Sequence, residues 1–355
     1  MNSKKLLSLF FVWVLCVAHA QAAVILQYHH VSDETPPSTS TSPQLFAEHL
    51  QYLQDHDFQV MSLPELLQRV QKKQTLPDKA VAITFDDSYR SIFTTAFPLL
   101  KKYQYPFTVF INTEPVGRSD SLLRWDDIVA MADAGATIAN HTHSHPYLVR
   151  RLAQETPAQQ RQRIREEIIT AEEQIKQHTG QSHKILAYPY GEYDDKLIDL
   201  LKSLGFMGIG QHSGAVGTRS DIYRLPRFPM GGSYGKMNDF PLKVSALALP
   251  LEGKEKITAA GQPLKDETVR AGDRPQLRLW LEDKAVATAL QCYFLGEPMP
   301  AKVENKRLTV WPEQALRPGR ARYNCTARDA DSGRYYWFSQ PWLVQDEDGQ
   351  WQHNN

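Results

Sequence analysis

The stretch AVAITFDDS, residues 80–88, decides the fold of the first part of the chain. Its first six residues carry no charge, which suits a strand buried on both faces of a parallel sheet. Similar apolar runs predict strands at 24–27, 80–85, 107–111, 136–139, 184–187 and 207–210. Helix-like segments lie between them, at 45–53, 63–70, 92–102, 126–132, 156–178 and 196–204. This alternation predicts β-α units around a parallel sheet, closed as a barrel or distorted barrel, with an open doubly wound sheet as the alternative.

The pattern changes near residue 242, where helix-like spacing gives way to short alternating segments. Strands are predicted at 276–281, 290–295, 308–311, 320–327 and 335–339, and turn-forming residues separate them. We therefore expect a small all-β sandwich of the immunoglobulin-like kind after the α/β part.

Length and charge limit the classes of function. The chain has 355 residues, enough for about two domains of ordinary size. Its 40 Lys and Arg residues balance 40 Asp and Glu residues, so the molecule offers no overall field that would gather nucleic acid or anionic lipid. No nucleic-acid partner is expected, and a neutral or locally recognised ligand is favoured.

The N-terminus has the order of a signal peptide. Two lysines precede an apolar run at 6–17, and small residues follow it. The run falls short of the ~20 residues that cross a bilayer, so we expect cleavage near Ala20 or Ala22 and no stable membrane insertion afterwards. An uncleaved anchor is the alternative. With a signal peptide, the protein is expected to be exported to the periplasm or the cell exterior. The expected segments are a signal peptide at 1–22, an α/β domain at 23–240 and a β domain at 241–355.

Removal of the signal peptide leaves Cys292 and Cys325 as the remaining cysteines. Both lie in alternating apolar sequence, and two cysteines on neighbouring strands usually pair in an oxidising compartment. We expect a disulfide, with two unpaired core thiols as the alternative.

Polar side chains follow each predicted strand of the first part. In a barrel of parallel strands the active site lies at the carboxyl ends of the strands. The segments at these ends are Tyr28-His29-His30, Asp86-Asp87, Asn112-Thr113-Glu114, the histidine-rich loop 140–146, Tyr188-Pro189-Tyr190-Gly191 and the segment 211–214. Carboxylates and imidazoles are thus expected to converge at one end of the sheet.

Asp86 and Asp87 are adjacent, and neighbouring side chains leave an extended segment in different directions. One carboxylate can then bind a metal while the other faces a bound water. The alternative is that the pair only caps the following helix.

His141 and His145 are four residues apart, which allows both imidazoles to face one point if the segment turns after the strand. A chance cluster of loop histidines is the alternative. One carboxylate and two neutral imidazoles leave room for water on a divalent cation, as in catalytic sites. Such a site hydrolyses an amide if backbone N–H groups near Pro189 and Tyr190 stabilise the oxyanion and an acid such as His212 protonates the leaving amine.

Four motifs together resemble the polysaccharide deacetylases with a NodB-homology domain, carbohydrate esterase family 4. They are TFDDS at 84–88, NHTHSHP at 140–146, YPYG at 188–191 and LQYHHV at 26–31, the last similar to the poly-N-acetylglucosamine deacetylase subgroup. The resemblance covers roughly residues 24–229 and implies a deformed (β/α) barrel. It implies zinc as the usual metal, and the roles it implies are Asp86 as catalytic base, Asp87, His141 and His145 as metal ligands, and Tyr190 as the backbone oxyanion contact.

Two positions depart from the family pattern. Many members carry an arginine where this chain has Ala187, so we expect Arg227 to steady the base aspartate instead. The Leu-x-His pattern common near the end of the domain is absent, which leaves His212 as the candidate acid.

These observations predict a secreted, metal-dependent hydrolase that removes acetyl groups from a polysaccharide containing N-acetylglucosamine. Two alternatives stay open: a glycan-binding protein without turnover, motivated by the two departures, and an O-acetyl esterase on the same scaffold. The candidate substrate contacts are Tyr28, His29, Trp125, Pro189 and Tyr190.

Overall fold

A computed structural model describes residues 22–351 of the protein. The strands up to residue 229 are β1 (Ala22–Tyr28), β2 (His30–Val31), β3 (Ser40–Thr41), β4 (Gln59–Val60), β5 (Ala80–Asp86), β6 (Phe107–Ile111), β7 (Thr137–Asn140), β8 (Ile185–Ala187), β9 (Met207–Ile209), β10 (Val216–Gly217) and β11 (Phe228–Pro229). The helices of this part are α1 (Pro43–Asp55), α2 (Leu63–Gln71), α3 (Phe97–Tyr103), α4 (Trp125–Asp133), α5 (Pro157–Thr179), α6 (Asp195–Leu204) and α7 (Phe240–Val244). Short helical turns lie at Ile92–Ala96, Pro189–Gly191 and Gly232–Gly235.

One curled sheet organises this part. Its strands lie in the order β10-β1-β5-β6-β7-β8-β9, with β4 also on β5 and β11 on β1. The pairs from β1 to β9 are parallel. Leu225 bridges to Ile209 of β9, and Phe228 pairs with Leu26 of β1, so the segment 225–229 links the two edges of the sheet. The sheet is therefore the distorted barrel of the prediction, and not an open doubly wound sheet.

The second part consists of two further sheets. Its elements are β12 (Leu247–Ala248), β13 (Leu251–Ile257), β14 (Thr268–Arg270), β15 (Gln276–Leu281), α8 (Lys284–Ala289), β16 (Gln291–Phe294), β17 (Glu297–Pro298), β18 (Ala301–Glu304), β19 (Arg307–Val310), β20 (Gly319–Arg328) and β21 (Tyr335–Gln345). One sheet runs β12-β21-β20-β16-β17 with β14 on β21, and the other runs β13-β15-β19-β18. A disulfide joins Cys292 and Cys325, which face each other on β16 and β20.

The two parts share a hydrophobic core. Leu277, Leu279 and Leu281 alternate along β15 and turn inward, as the period of a strand requires. They belong to the same buried cluster as Phe85 and Val109 of the first part. The second part therefore buries apolar surface of the first, and the two are held together by burial and not only by a linker.

None of the helices in residues 22–351 is long and apolar enough to cross a membrane. The predicted signal peptide, apart from Ala22, lies outside the described residues.

Candidate active site

Three predicted metal ligands meet at the carboxyl ends of β5 and β7, which lie on either side of β6 in the sheet. Asp87 follows β5, and His141 and His145 lie in the loop after β7. One ligand atom from each residue lies within 4.8 Å of the others. The Asp87 Oδ1 atom is 3.5 Å from His141 Nε2 and 3.6 Å from His145 Nε2. Ligand atoms about 2.1 Å from one tetrahedral ion lie roughly 3.4 Å apart, so these separations fit a shared divalent cation.

The hydrogen bonding of His141 provides an independent test of this fit. Its Nδ1 atom lies 2.8 Å from the carbonyl oxygen of Ala187. A carbonyl only accepts, so Nδ1 carries the proton and Nε2 keeps its lone pair. Within the described residues, His141 Nε2 is buried and has no hydrogen-bond partner. An unsatisfied buried polar atom costs about 1–3 kcal/mol, and a cation shared with Asp87 satisfies it.

His145 has an environment that keeps it neutral, as a ligand imidazole must be. Burial, followed by the charge of His141, lowers the pKa of His145 to about 4. The ring is therefore neutral at neutral pH. In either tautomer, one ring nitrogen keeps a lone pair that can bind a metal.

The loops of the cluster hold unusual backbone conformations. Asp87, Thr142, His145 and Tyr190 all have positive φ, at 69°, 69°, 60° and 60°. A residue other than glycine costs about 1–2 kcal/mol in the left-handed region, and such residues gather at functional sites. The surrounding hydrogen bonds maintain them: the Thr142 N–H donates to Asn140 Oδ1, and the His145 N–H donates to Thr142 Oγ1.

Asp86 is not one of the three residues of this cluster and is completely buried with Arg227. The two nitrogens Nη1 and Nη2 of Arg227 donate to Asp86 Oδ1 and Oδ2 at 2.5 and 2.7 Å. Gln27 Nε2 also donates to Oδ2, at 2.6 Å. Burial opposes ionisation, but the Arg227 charge and hydrogen bonds hold the pKa of Asp86 well below its usual range. Arg227 therefore makes the contact with Asp86 that was expected of it in place of an arginine at position 187.

We predict that Arg227→Met lowers the free energy of unfolding by about 3 kcal/mol, because breaking a buried ion pair leaves a charge without compensation. Urea denaturation measures this loss. The double variant Asp86→Asn/Arg227→Met should recover part of it. Arg69→Met, which breaks the exposed pair with Glu65, is the control and should cost under about 1 kcal/mol. Equal losses in Arg227→Met and Arg69→Met would contradict the prediction.

Tyr190 lies beside the cluster and forms part of its wall. Its ring meets the His145 ring edge-on at 4.6 Å and stacks on Tyr147 at 3.8 Å. Gly191 follows with a φ of 71°, and a Cβ atom there would lie 2.6 Å from Gln211 Cβ. Only glycine fits this turn, so the Pro-Tyr-Gly order fixes where Tyr190 lies.

Three of the candidate substrate contacts are engaged in packing within the protein. Tyr28 is 1% exposed, and its hydroxyl is 3.0 Å from His49 Nδ1, because residues of a strand alternate and this one faces the core. Trp125 begins α4 and stacks on His178 of α5, so it joins two helices. Pro189 is buried in its turn and does not offer a surface.

His212 lies at the contact between the two parts of the chain. Its ring is 6% exposed and lies near Tyr193, at 5.9 Å between centroids. It lines a cavity of about 520 Å³ together with Lys254 and Trp337 of the second part. Burial, then the charges of Lys254 and Arg322, lower the pKa of His212 to about 3. The charges that act most strongly on His212 are those of cations, and the carboxylate of Asp87 is not among them.

His29, like Tyr190, is a candidate substrate contact that lies near the cluster. It is partly exposed, and its charge acts on the pKa values of both Asp86 and His145.

Tyr89 and Gln27 also contact the two aspartates, and no sequence pattern predicted either contact. The Tyr89 hydroxyl bonds to Asp87, and burial together with this carboxylate raises the pKa of Tyr89 well above its usual value. Tyr89 follows the Asp pair by two residues, a spacing that carries no known signal. Gln27 follows the apolar residues 22–26 of β1 and is buried. A polar residue at the end of an apolar strand was the one sequence signal that could have indicated its role.

A parallel barrel with one carboxylate and two imidazoles at its strand ends is typical of metal-assisted hydrolases. Residues 73–209 match the family model described as polysaccharide deacetylase. Over these residues the chain is similar to the polysaccharide deacetylases.

Curated relatives show the same similarity. The chain is 28% identical over 226 residues to poly-beta-1,6-N-acetyl-D-glucosamine N-deacetylase of Staphylococcus epidermidis, an alignment that covers 58% of this chain and 78% of the relative. It is 27% identical over 226 residues to the enzyme of the same name from Staphylococcus aureus strain MRSA252, again with 58% and 78% coverage.

Solved structures share the fold of the first part. The Streptococcus pyogenes deacetylase PplD in complex with acetate superposes with a TM-score of 0.53 at 25% identity, covering 60% of this chain and 93% of that one. IcaB from Ammonifex degensii superposes with a TM-score of 0.54 at 24% identity, covering 64% and 98%. The fold is therefore the NodB-type deacetylase fold, and the second β-rich part lies largely beyond these matches.

Proposed function

We propose that this protein is an exported, metal-dependent polysaccharide N-deacetylase that acts on glycan containing N-acetylglucosamine. The cluster of Asp87, His141 and His145, with its unpartnered His141 Nε2, is the observation that carries the proposal. The names of the staphylococcal relatives favour a poly-N-acetylglucosamine substrate.

Asp87, His141 and His145 would hold the metal, and two neutral imidazoles with one carboxylate suit zinc. When bound, the metal lowers the pKa of water and polarises the amide carbonyl.

Asp86 is the proposed general base. It is ionised at neutral pH, because the charge and hydrogen bonds of Arg227 hold its pKa well below the usual range. A carboxylate accepts about four hydrogen bonds. Three donors engage Asp86, and Oδ1 receives only one of them, so Oδ1 keeps an acceptor site for the proton of the attacking water. The same donors reduce its basicity, so we expect positioning of the water to contribute as much as proton affinity.

The backbone N–H of Tyr190 is the proposed oxyanion donor, since its turn is rigid and its ring contacts His145. Substrate then lies between this turn and the metal ligands.

His29 is the proposed acid that protonates the leaving amine, in place of His212. We predict that His29→Gln lowers kcat about 100-fold, in the range of a general acid, and that His212→Gln changes it less than about threefold. Steady-state acetate release measures both. A loss confined to His212→Gln would reverse the assignment.

Acetate release from β-1,6- and β-1,4-linked N-acetylglucosamine oligomers tests the proposed function, with the full-length protein loaded with zinc or stripped by chelator. We expect release only with metal. Bound zinc without acetate from any substrate would favour a glycan-binding protein, and faster release from acetylated xylan would favour an O-acetyl esterase.

The proposed domain organisation is a signal peptide at 1–22, a deacetylase domain at 23–240 and an immunoglobulin-like accessory domain at 241–355. Export is supported by the N-terminal sequence and by the disulfide, which an oxidising compartment favours. N-terminal sequencing of the secreted protein tests the cleavage site. Cleavage near Ala20 leaves β1 complete, since that strand begins at Ala22.

A further inference from the structure

We propose that Arg320, on β20 of the β-rich part, is a positioning residue for deacetylation. It holds the turn at Pro189–Gly191, and so makes the β-rich part a component of the active site. The inference rests on the proposed function for its catalytic consequence, and on the contact itself for its structural one.

The contact joins the two parts of the chain at the site. Arg320 Nη1 donates to the carbonyl oxygen of Tyr190 at 2.6 Å, across 130 residues of sequence. Arg320 lies well outside residues 73–209, which match the deacetylase family. The interaction is therefore supplied by the additional part of this chain.

The Tyr190 carbonyl oxygen accepts no hydrogen bond from within this turn. The Gly191 N–H donates to the Tyr188 carbonyl at 2.8 Å, and the Glu192 N–H donates to the Pro189 carbonyl at 3.2 Å. The Tyr190 carbonyl instead accepts from Arg320. This hydrogen bond fixes the plane of the peptide that follows Tyr190, and with it the left-handed conformation of the residue.

The position of this turn affects both the proposed oxyanion donor and the neighbouring proposed metal ligand His145. Tyr190 has φ 60° and ψ 3°, a strained conformation that persists only when its surroundings maintain it. Its N–H is the proposed oxyanion donor, and its ring lies 4.6 Å from the metal-ligand ring of His145. A displacement of about 1 Å at a positioning group can cost up to 100-fold in rate.

Arg320 is exposed, so solvent screens its charge, and a direct electrostatic effect on the oxyanion is expected to be small. The planar guanidinium donates in a fixed direction, which suits an orienting role. A glutamine keeps a donor without the charge, whereas an alanine removes both.

The experiment uses the full chain with zinc and compares Arg320→Ala, Arg320→Gln and Arg317→Ala. Arg317 is an exposed arginine just before β20 and is the matched control. Hydrogen exchange of the peptide that spans residues 186–193, zinc affinity, and kcat and KM on N-acetylglucosamine oligomers are measured for each.

For Arg320→Ala we expect faster exchange in that peptide and a kcat about tenfold lower, with KM and zinc affinity within about twofold of the wild type. Arg320→Gln should recover part of both losses, and Arg317→Ala should match the wild type. Exchange and kcat in Arg320→Ala equal to those of Arg317→Ala would overturn the inference, as would a zinc affinity that falls as far as kcat.

If the wild type releases no acetate, the proposed function fails, and exchange alone then decides the positioning contact. Faster exchange confined to 186–193 supports it, and unchanged exchange overturns it.

Discussion

Replacing Asp86 by asparagine should lower kcat for acetate release by about 1000-fold while the protein still binds its metal, because removal of a general base costs roughly 100- to 10,000-fold. The cluster of Asp87, His141 and His145 does not include Asp86, so the ligand set is unchanged. Zinc content by elemental analysis and single-turnover acetate release measure the two effects separately.

The substitution also has a structural cost that the measurement must separate. Asparagine offers Arg227 one acceptor oxygen where Asp86 offers two, and it leaves the buried guanidinium without an anionic partner. Rates are therefore compared below the thermal transitions of both proteins. Asp194→Asn is the control, since Asp194 is a buried carboxylate that caps α6 and asparagine caps helices as well. Near-normal turnover in Asp86→Asn would remove Asp86 from the mechanism.

Strand and helix positions were predictable where the local pattern is strong. The strands at 107–111 and 276–281 have the bounds that the sequence predicts, because apolar runs and strict alternation leave few other folds. β13 was missed, since Leu251–Ile257 carries three consecutive charged residues and is stabilised by pairing with β15. The helix α8 was also missed, being a six-residue segment that an Asp283 cap begins.

The core of the site was predictable because Asp87 and His141 each directly follow a recognisable strand, and His145 lies in the same loop as His141. Strand order then brings Asp87 and His141 together without further information. Contacts between distant segments were harder to predict. The Arg227 to Asp86 pair spans 141 residues, and the Arg320 to Tyr190 contact spans 130. No spacing in the sequence encodes such a contact, and Arg227 was found only because a position expected to be arginine is Ala187.

The buried surroundings of His212 have a physical cause. Its segment follows β9, and the end of a barrel strand is a sound place to expect a catalytic group. The β-rich part covers this edge, however, so His212 faces Lys254 and Trp337 instead of open solvent. Sequence patterns predict which end of a strand is polar, but not which of these ends another domain will cover.

His141→Ala should weaken zinc binding by about 1000-fold, measured by titration against a chelator of known affinity. Substitutions of groups that only orient a ligand typically cost 10- to 100-fold in metal affinity, and His141 is proposed to bind directly. The expected loss follows from its geometry, since the Ala187 carbonyl fixes the tautomer and leaves Nε2 aimed 3.5 Å from Asp87 Oδ1.

The control for His141→Ala is His143→Ala, in the same loop. The His143 Nδ1 atom lies 2.8 Å from Thr113 Oγ1 and is not part of the cluster, so its loss should change zinc affinity by less than about tenfold. The two variants then differ in zinc affinity only if the loop directs His141 toward the metal site and His143 toward Thr113. Equal losses from both variants would show that zinc binding depends on the fold of the loop and not on His141 as a ligand, and the proposed metal site would have to be abandoned.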